Sequence, residues 1–164
     1  AARIGWTTNF YRDGAGSALR RERLAAYLAA RADAPLLLVG EAPGYRGARV
    51  SGLPFTSERQ LTGAGPAEAT ATIVQRVLAE LGIAGWVLLW NVVPTHPGTP
   101  TSNRRPSVAE VAAGRPFAEE LAVGRRVICV GRLAHAALGG DALRHPSHGG
   151  AAAFRAGLSE LMVA

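Results

Sequence analysis

Lysine is missing from all 164 residues, so each of the 18 basic side chains is an arginine. That absence excludes a phosphate-loop lysine, a pyridoxal Schiff base and a lysine nucleophile. Cysteine is nearly missing as well. Cys129 alone cannot form an internal disulfide or supply a four-cysteine cluster, so neither a disulfide framework nor a self-contained iron-sulfur or zinc-cysteine site is available. No apolar run is long enough to span a bilayer, and the opening Ala-Ala-Arg-Ile-Gly-Trp-Thr-Thr lacks a charged head followed by an apolar segment. From these absences a soluble, cytoplasmic protein without a membrane anchor is expected.

What is present suits one globular domain over residues 1–164: 48% of residues are hydrophobic and 18% charged, enough for a sizeable core. Twelve acidic residues leave a net charge of +6. The arginine excess has a mutational reading, since Ala, Gly and Pro are also abundant. It has a functional one too, because guanidinium pairs bidentately with phosphate and favours a nucleic-acid partner over an anionic membrane.

Alternation of apolar runs and helical periodicities predicts an α/β chain. A helix capped by Ser17 covers about 18–28; Leu36–Gly40 follows Pro35 and is apolar on both faces, as a buried parallel strand is. A Gly/Pro-rich loop then runs to about Gly65. Pro66 at a first helical position predicts a crossover helix over 67–81, and Trp86–Trp90 a second strand ending at Asn91. Beyond it lies a loop with prolines at 94, 97, 100 and 106, then a capping box of Ser107 and Glu110 opening a helix to about Leu121. Arg126–Gly131 reads as the third strand, 132–138 as a helix, 142–144 as a short fourth strand, and 151–162 as a last helix. Right-handed crossovers then give a three-layer α/β/α sandwich around a four-stranded parallel sheet. Ligands of such folds bind beyond the carboxyl ends of the strands, which here carry loops 40–57, 91–106 and 145–150.

The first loop, Gly40-Glu41-Ala42-Pro43-Gly44-Tyr45-Arg46-Gly47, fits neither the dinucleotide fingerprint nor the phosphate loop. It places an acid, Glu41, at a strand end; Phe55 in Gly52-Leu53-Pro54-Phe55-Thr56 reads equally as an exposed stacking aromatic or as core. Asn91 is either a backbone cap or a base reader. In the second role its oxygen accepts from N3–H and its nitrogen donates to O4, an edge uracil presents and cytosine reverses. His145 and His148 have no accompanying H-x-E with paired cysteines, which excludes a zinc deaminase, and no metal or cofactor is expected. His135 reads as structural and His96 stays unassigned.

Taken in order, Gly40–Gly44, Gly52–Thr56, Asn91-Val92-Val93-Pro94 and His145-Pro146-Ser147 resemble the uracil-DNA glycosylase superfamily, with most likeness to its fourth and fifth families. The resemblance implies an α/β/α sandwich and hydrolysis of the bond between a deaminated base and deoxyribose in DNA. It implies catalytic roles for Glu41 and His145, the latter donating to O2 of the leaving base. Ala42, Phe55 and Asn91 would hold the base, Tyr45 would exclude a thymine methyl, and Ser147, His148 and Gly149 would form the loop that enters DNA. Two departures stand out. The iron-sulfur cysteines of the fourth family are missing, and the acid that many relatives place shortly after the first motif has Gly47 at its position, with no Asp or Glu between Glu41 and Glu58.

Three expectations follow: a monofunctional, monomeric glycosylase using water, of weak activity because Glu41, substrate phosphates and dipoles must replace the acid; a catalytically impaired DNA-binding member of the same fold; or an enzyme acting on a free nucleotide.

Overall fold

The computed structural model describes residues 3–164. Four strands, β1 (Leu36–Gly40), β2 (Val87–Asn91), β3 (Arg126–Val130) and β4 (Asp141–Leu143), form one sheet in the order β2-β1-β3-β4, every neighbour parallel. β1 is buried along its whole length because alternate side chains enter two different cores. Leu36 and Leu38 pack with Val74, Val77 and Leu78 of α4 (Ala69–Glu80) and with Phe154 and Leu158 of α7 (Ala151–Val163). Leu37 and Val39 face the other way, towards α1 (Ser17–Ala30), α5 (Val108–Ala122) and α6 (Arg132–Leu138). The result is the three-layer α/β/α sandwich that the strand patterns imply. Among the described residues no helix is long and apolar enough to cross a membrane.

Several boundaries differ from the sequence-based ones, each for a local reason. Trp86 is not in β2: its N–H closes a turn of 3-10 helix on the Ile83 carbonyl at 2.8 Å, its ring stays exposed, and pairing begins at Leu36 with Val87. The 41–65 segment is not only loop, since it holds two short helices, α2 (Ala48–Ser51) and α3 (Glu58–Thr62), the second capped reciprocally by Ser57 and Gln60. The most consequential shift is at α4. Pro66 does not open it; the Ser57 hydroxyl captures the Glu68 N–H at 2.8 Å, and Glu68 becomes an extended N-cap residue whose side chain makes no capping bond. The carboxylate is therefore directed away from the helix.

Candidate active site

The carboxyl ends of β1 and β2 and the loop after β4 enclose a pocket of about 380 Å³, at the small end of the range for small-molecule sites. Glu41, Ala42, Phe55, Asn91, His145 and Ser147, all singled out from sequence, line it together.

Asn91 ends β2 and is buried, yet among the described residues its amide has no hydrogen-bond partner in the protein. The backbone around it is satisfied separately, Val92 N–H donating to Gly40 O at 2.9 Å and Val93 N–H to Glu41 O at 3.0 Å. A backbone-capping role is thus not what the amide performs; its donor and acceptor face the pocket. Phe55 is also buried and touches the core beside α4 while lining the pocket, so stacking surface and core filler are one ring. Gly40 makes that possible. A Cβ there would collide with Phe55 Cζ and lie 3.0 Å from Asn91 Oδ1. Phe55 and His148 are the two described residues other than glycine with positive φ, 50° and 52°, a conformation costly for bulky side chains. Both fall in the site loops.

His145 sits half-buried at the mouth. Its Nδ1 accepts from the Ser147 N–H at 3.1 Å and lies 2.7 Å from the Ser147 hydroxyl, and this network assigns the ring proton to Nε2. Burial, with His148 nearby as a lesser cause, lowers its pKa below the usual histidine value. A neutral N–H donor therefore faces the cavity at pH 7. Glu41 has its pKa raised by burial, with Arg105 opposing.

Sequence spacing offered no acid close behind the first motif. The fold supplies one from Glu68, which lines the same pocket. Its Oε2 is buried without a hydrogen-bond partner, and burial raises its pKa. Room for it exists because residues 44 and 47 are glycines: a Cβ on Gly47 would fall 2.5 Å from that oxygen, and one on Gly44 closer still. Nothing in the sequence marks Glu68, which reads as an ordinary residue in the first turn of a helix.

Tyr45 is not brought into the pocket. Its N–H is held by Asn103 Oδ1 at 2.9 Å, and its ring stands 5.9 Å from the Arg46 guanidinium, so the role of methyl barrier has no support in its position. His148 lines an adjoining groove of about 890 Å³ instead, and Gly149 is exposed at the loop tip. That groove shares Glu41, His145 and Ser147 with the pocket and adds Arg105, Arg132 and Arg144. Among the described residues none of these three arginines is in an ion pair. Arg104, on both walls, is fixed by two 2.7 Å bonds to buried Glu110, whose carboxylate also accepts from the N–H groups of Trp6 and Ser107. The arginine excess is thus partly gathered at one end of the sheet. His96, unassigned from sequence, is a structural pin: its ring nitrogens lie 2.8 Å from the Pro43 and Thr99 carbonyls and tie the first loop to the second.

A family model described as the uracil DNA glycosylase superfamily matches residues 28–160. No curated protein matches the chain. Among solved structures, the wild-type SMUG2 of Pedobacter heparinus superposes with a TM-score of 0.67 over 96% of this chain and 88% of its own, at 17% sequence identity.

Proposed function

The chain belongs to the uracil DNA glycosylase superfamily, and on that premise we propose that it is a monofunctional DNA glycosylase hydrolysing the N-glycosidic bond of uracil or a related deaminated base in DNA. The observation that carries the reading is the convergence on one pocket of an unpartnered Asn91 amide, the Phe55 ring and the His145 Nε2–H. A flipped base would lie against Phe55, with Asn91 accepting from its N3–H and donating to its O4. As the bond to the sugar lengthens, negative charge collects on the base and His145 donates to O2. A single donor aimed at developing charge in a water-poor site is worth about 3 kcal/mol of barrier. Ala42 would contribute backbone contact, and Ser147 would hold the His145 ring.

Drawing a base out of the stack costs a few kcal/mol. Phosphate contacts from the arginine groove, beside the pocket mouth, would offset it, and the exposed His148-Gly149 tip would occupy the vacated space. With no lysine in the sequence, a Schiff-base lyase step has no side-chain amine and could draw only on the chain terminus. We therefore expect free base and an intact abasic strand, made by a monomer acting in the cytoplasm.

The test is single-turnover release, enzyme in excess, from oligonucleotides carrying uracil, hypoxanthine or xanthine. Release of at least one base supports the proposal; a borohydride-trapped protein–DNA adduct contradicts its monofunctional part. Glu68, which lines the pocket, favours catalysis over the alternative reading of an impaired DNA binder. Tight DNA binding with no release at all would favour that alternative instead.

A further inference from the structure

Glu68 has no structural explanation. Glu68 is half-buried, and a carboxylate with a buried oxygen normally caps a helix, meets a cation or accepts hydrogen bonds. Glu68 does none of these among the described residues: it makes no capping bond, joins no ion pair, and its Oε2 has no partner. Its backbone, by contrast, is fixed on both sides. The N–H is held by the Ser57 hydroxyl, and the carbonyl accepts from the Thr72 N–H and hydroxyl at 3.0 Å each, so the direction of the Cα–Cβ bond is set. It is set towards the pocket, through the gap left by Gly44 and Gly47.

We propose that Glu68 is a catalytic carboxylate that faces the anomeric carbon of the bound nucleotide and takes a proton from the attacking water, and that Gly44 and Gly47 are side-chain-free to admit it. The inference rests on the glycosylase reading above. In the step it describes, the C1′–N1 bond breaks with its electron pair leaving on the base, so the sugar becomes an oxocarbenium ion. Water then forms the new C1′–O bond and gives one proton to Glu68, and that proton passes on to the departed base anion. Reactants and products balance as nucleotide plus water giving abasic sugar plus free base, with no co-reactant.

Glu41, the other carboxylate here, is less suited to this role. It borders the arginine groove, where Arg105 opposes the effect of burial on its proton affinity; no cation opposes that effect at Glu68. A desolvated carboxylate with no competing cation is both the stronger base and the better partner for a cationic carbon.

The test compares the wild-type full chain with E68Q, E68D and E68A in single-turnover base release, with DNA affinity and melting temperature measured on each. E68Q should lower release about 100-fold or more, bind uracil-containing DNA within threefold of wild type, and melt no lower, since the half-buried carboxylate it replaces makes no ion pair or hydrogen bond among the described residues. E68D should keep more activity than E68Q, and added formate should raise release by E68A. The wild-type rate should fall as pH drops through a carboxylate pKa above the usual value, and that limb should be lost in E68Q. Three other titratable or charged groups line the pocket, Glu41, Arg104 and His145, and all are unchanged in these variants. An active wild type matched within threefold by E68Q overturns the assignment alone. So does an E68Q whose lost activity is matched by lost affinity or a lowered melting temperature. A wild type that releases none of the three bases removes the glycosylase reading and this assignment with it.

Discussion

Replacing His145 by alanine isolates the hydrogen bond that the proposed mechanism places on the leaving base. The Ser147 N–H occupies Nδ1 at 3.1 Å, which leaves Nε2–H as the donor facing the cavity, and the ring is neutral at pH 7 because burial holds its pKa down. Loss of one such donor typically lowers the rate about 100- to 1,000-fold. His145 is half-buried and the pocket opens into the arginine groove, so the lower end, about 100-fold, is expected. S147A removes only the hydroxyl and keeps the amide bond to Nδ1, so it should cost about 1 kcal/mol, or roughly fivefold. The assay is single-turnover uracil release with enzyme in excess, alongside Kd for the same oligonucleotide, because the effect belongs to the chemical step and should leave Kd within threefold. H145A acting at near the wild-type rate would refute the reasoning, as would a loss confined to affinity. A wild-type rate that falls between pH 7 and 9, with H145A lacking the fall, would show the imidazolium to be the working form.

N91D replaces the amide nitrogen, a donor, by an acceptor set against O4, and uracil release should drop about 100-fold or more, since a buried edge mismatch is costly. R132A/R144A removes two groove guanidiniums and should reduce the slope of log affinity against log salt by about 2, which titrations between 50 and 300 mM salt (roughly the useful window) will show. Glu110 is held at a pKa of about 2, chiefly by its bond to Arg104. Its ionised form therefore contributes stability that is complete above the ordinary carboxylate range and is lost as pH falls through about 4 towards 2. E110Q should cost about 2 kcal/mol at pH 7, discounted because Arg104 is 41% exposed, and urea denaturation should show the gap closing near pH 2.

The strands were readable because a parallel strand buried on both faces must be apolar at every position: Leu36–Val39 and Val87–Trp90 have no other stable place. The Ser107–Glu110 cap was readable because its hydrogen bonds span three residues. Asn91 stood out because it is a polar group at the end of an apolar strand, and His145 because the His145-Pro146-Ser147 motif carries part of the family resemblance. Tyr45, chosen for its nearness in sequence to the first motif, does not line the pocket, and its N–H is held by Asn103 of the second loop.

The sequence by itself determined the sheet, the helices that flank it, the loops that carry the candidate site and the exclusion of lysine, internal-disulfide and four-cysteine cluster chemistry within these residues, all of which follow from local patterns or from composition. Only the tertiary structure decided that the pocket contains a second carboxylate. Its position depends on three segments at once: Ser57 sets the start of α4, that start frees the Glu68 side chain from the helix, and Gly44 and Gly47 leave the space it enters. None of the three predicts the others, because a contact between distant segments leaves no periodicity in either.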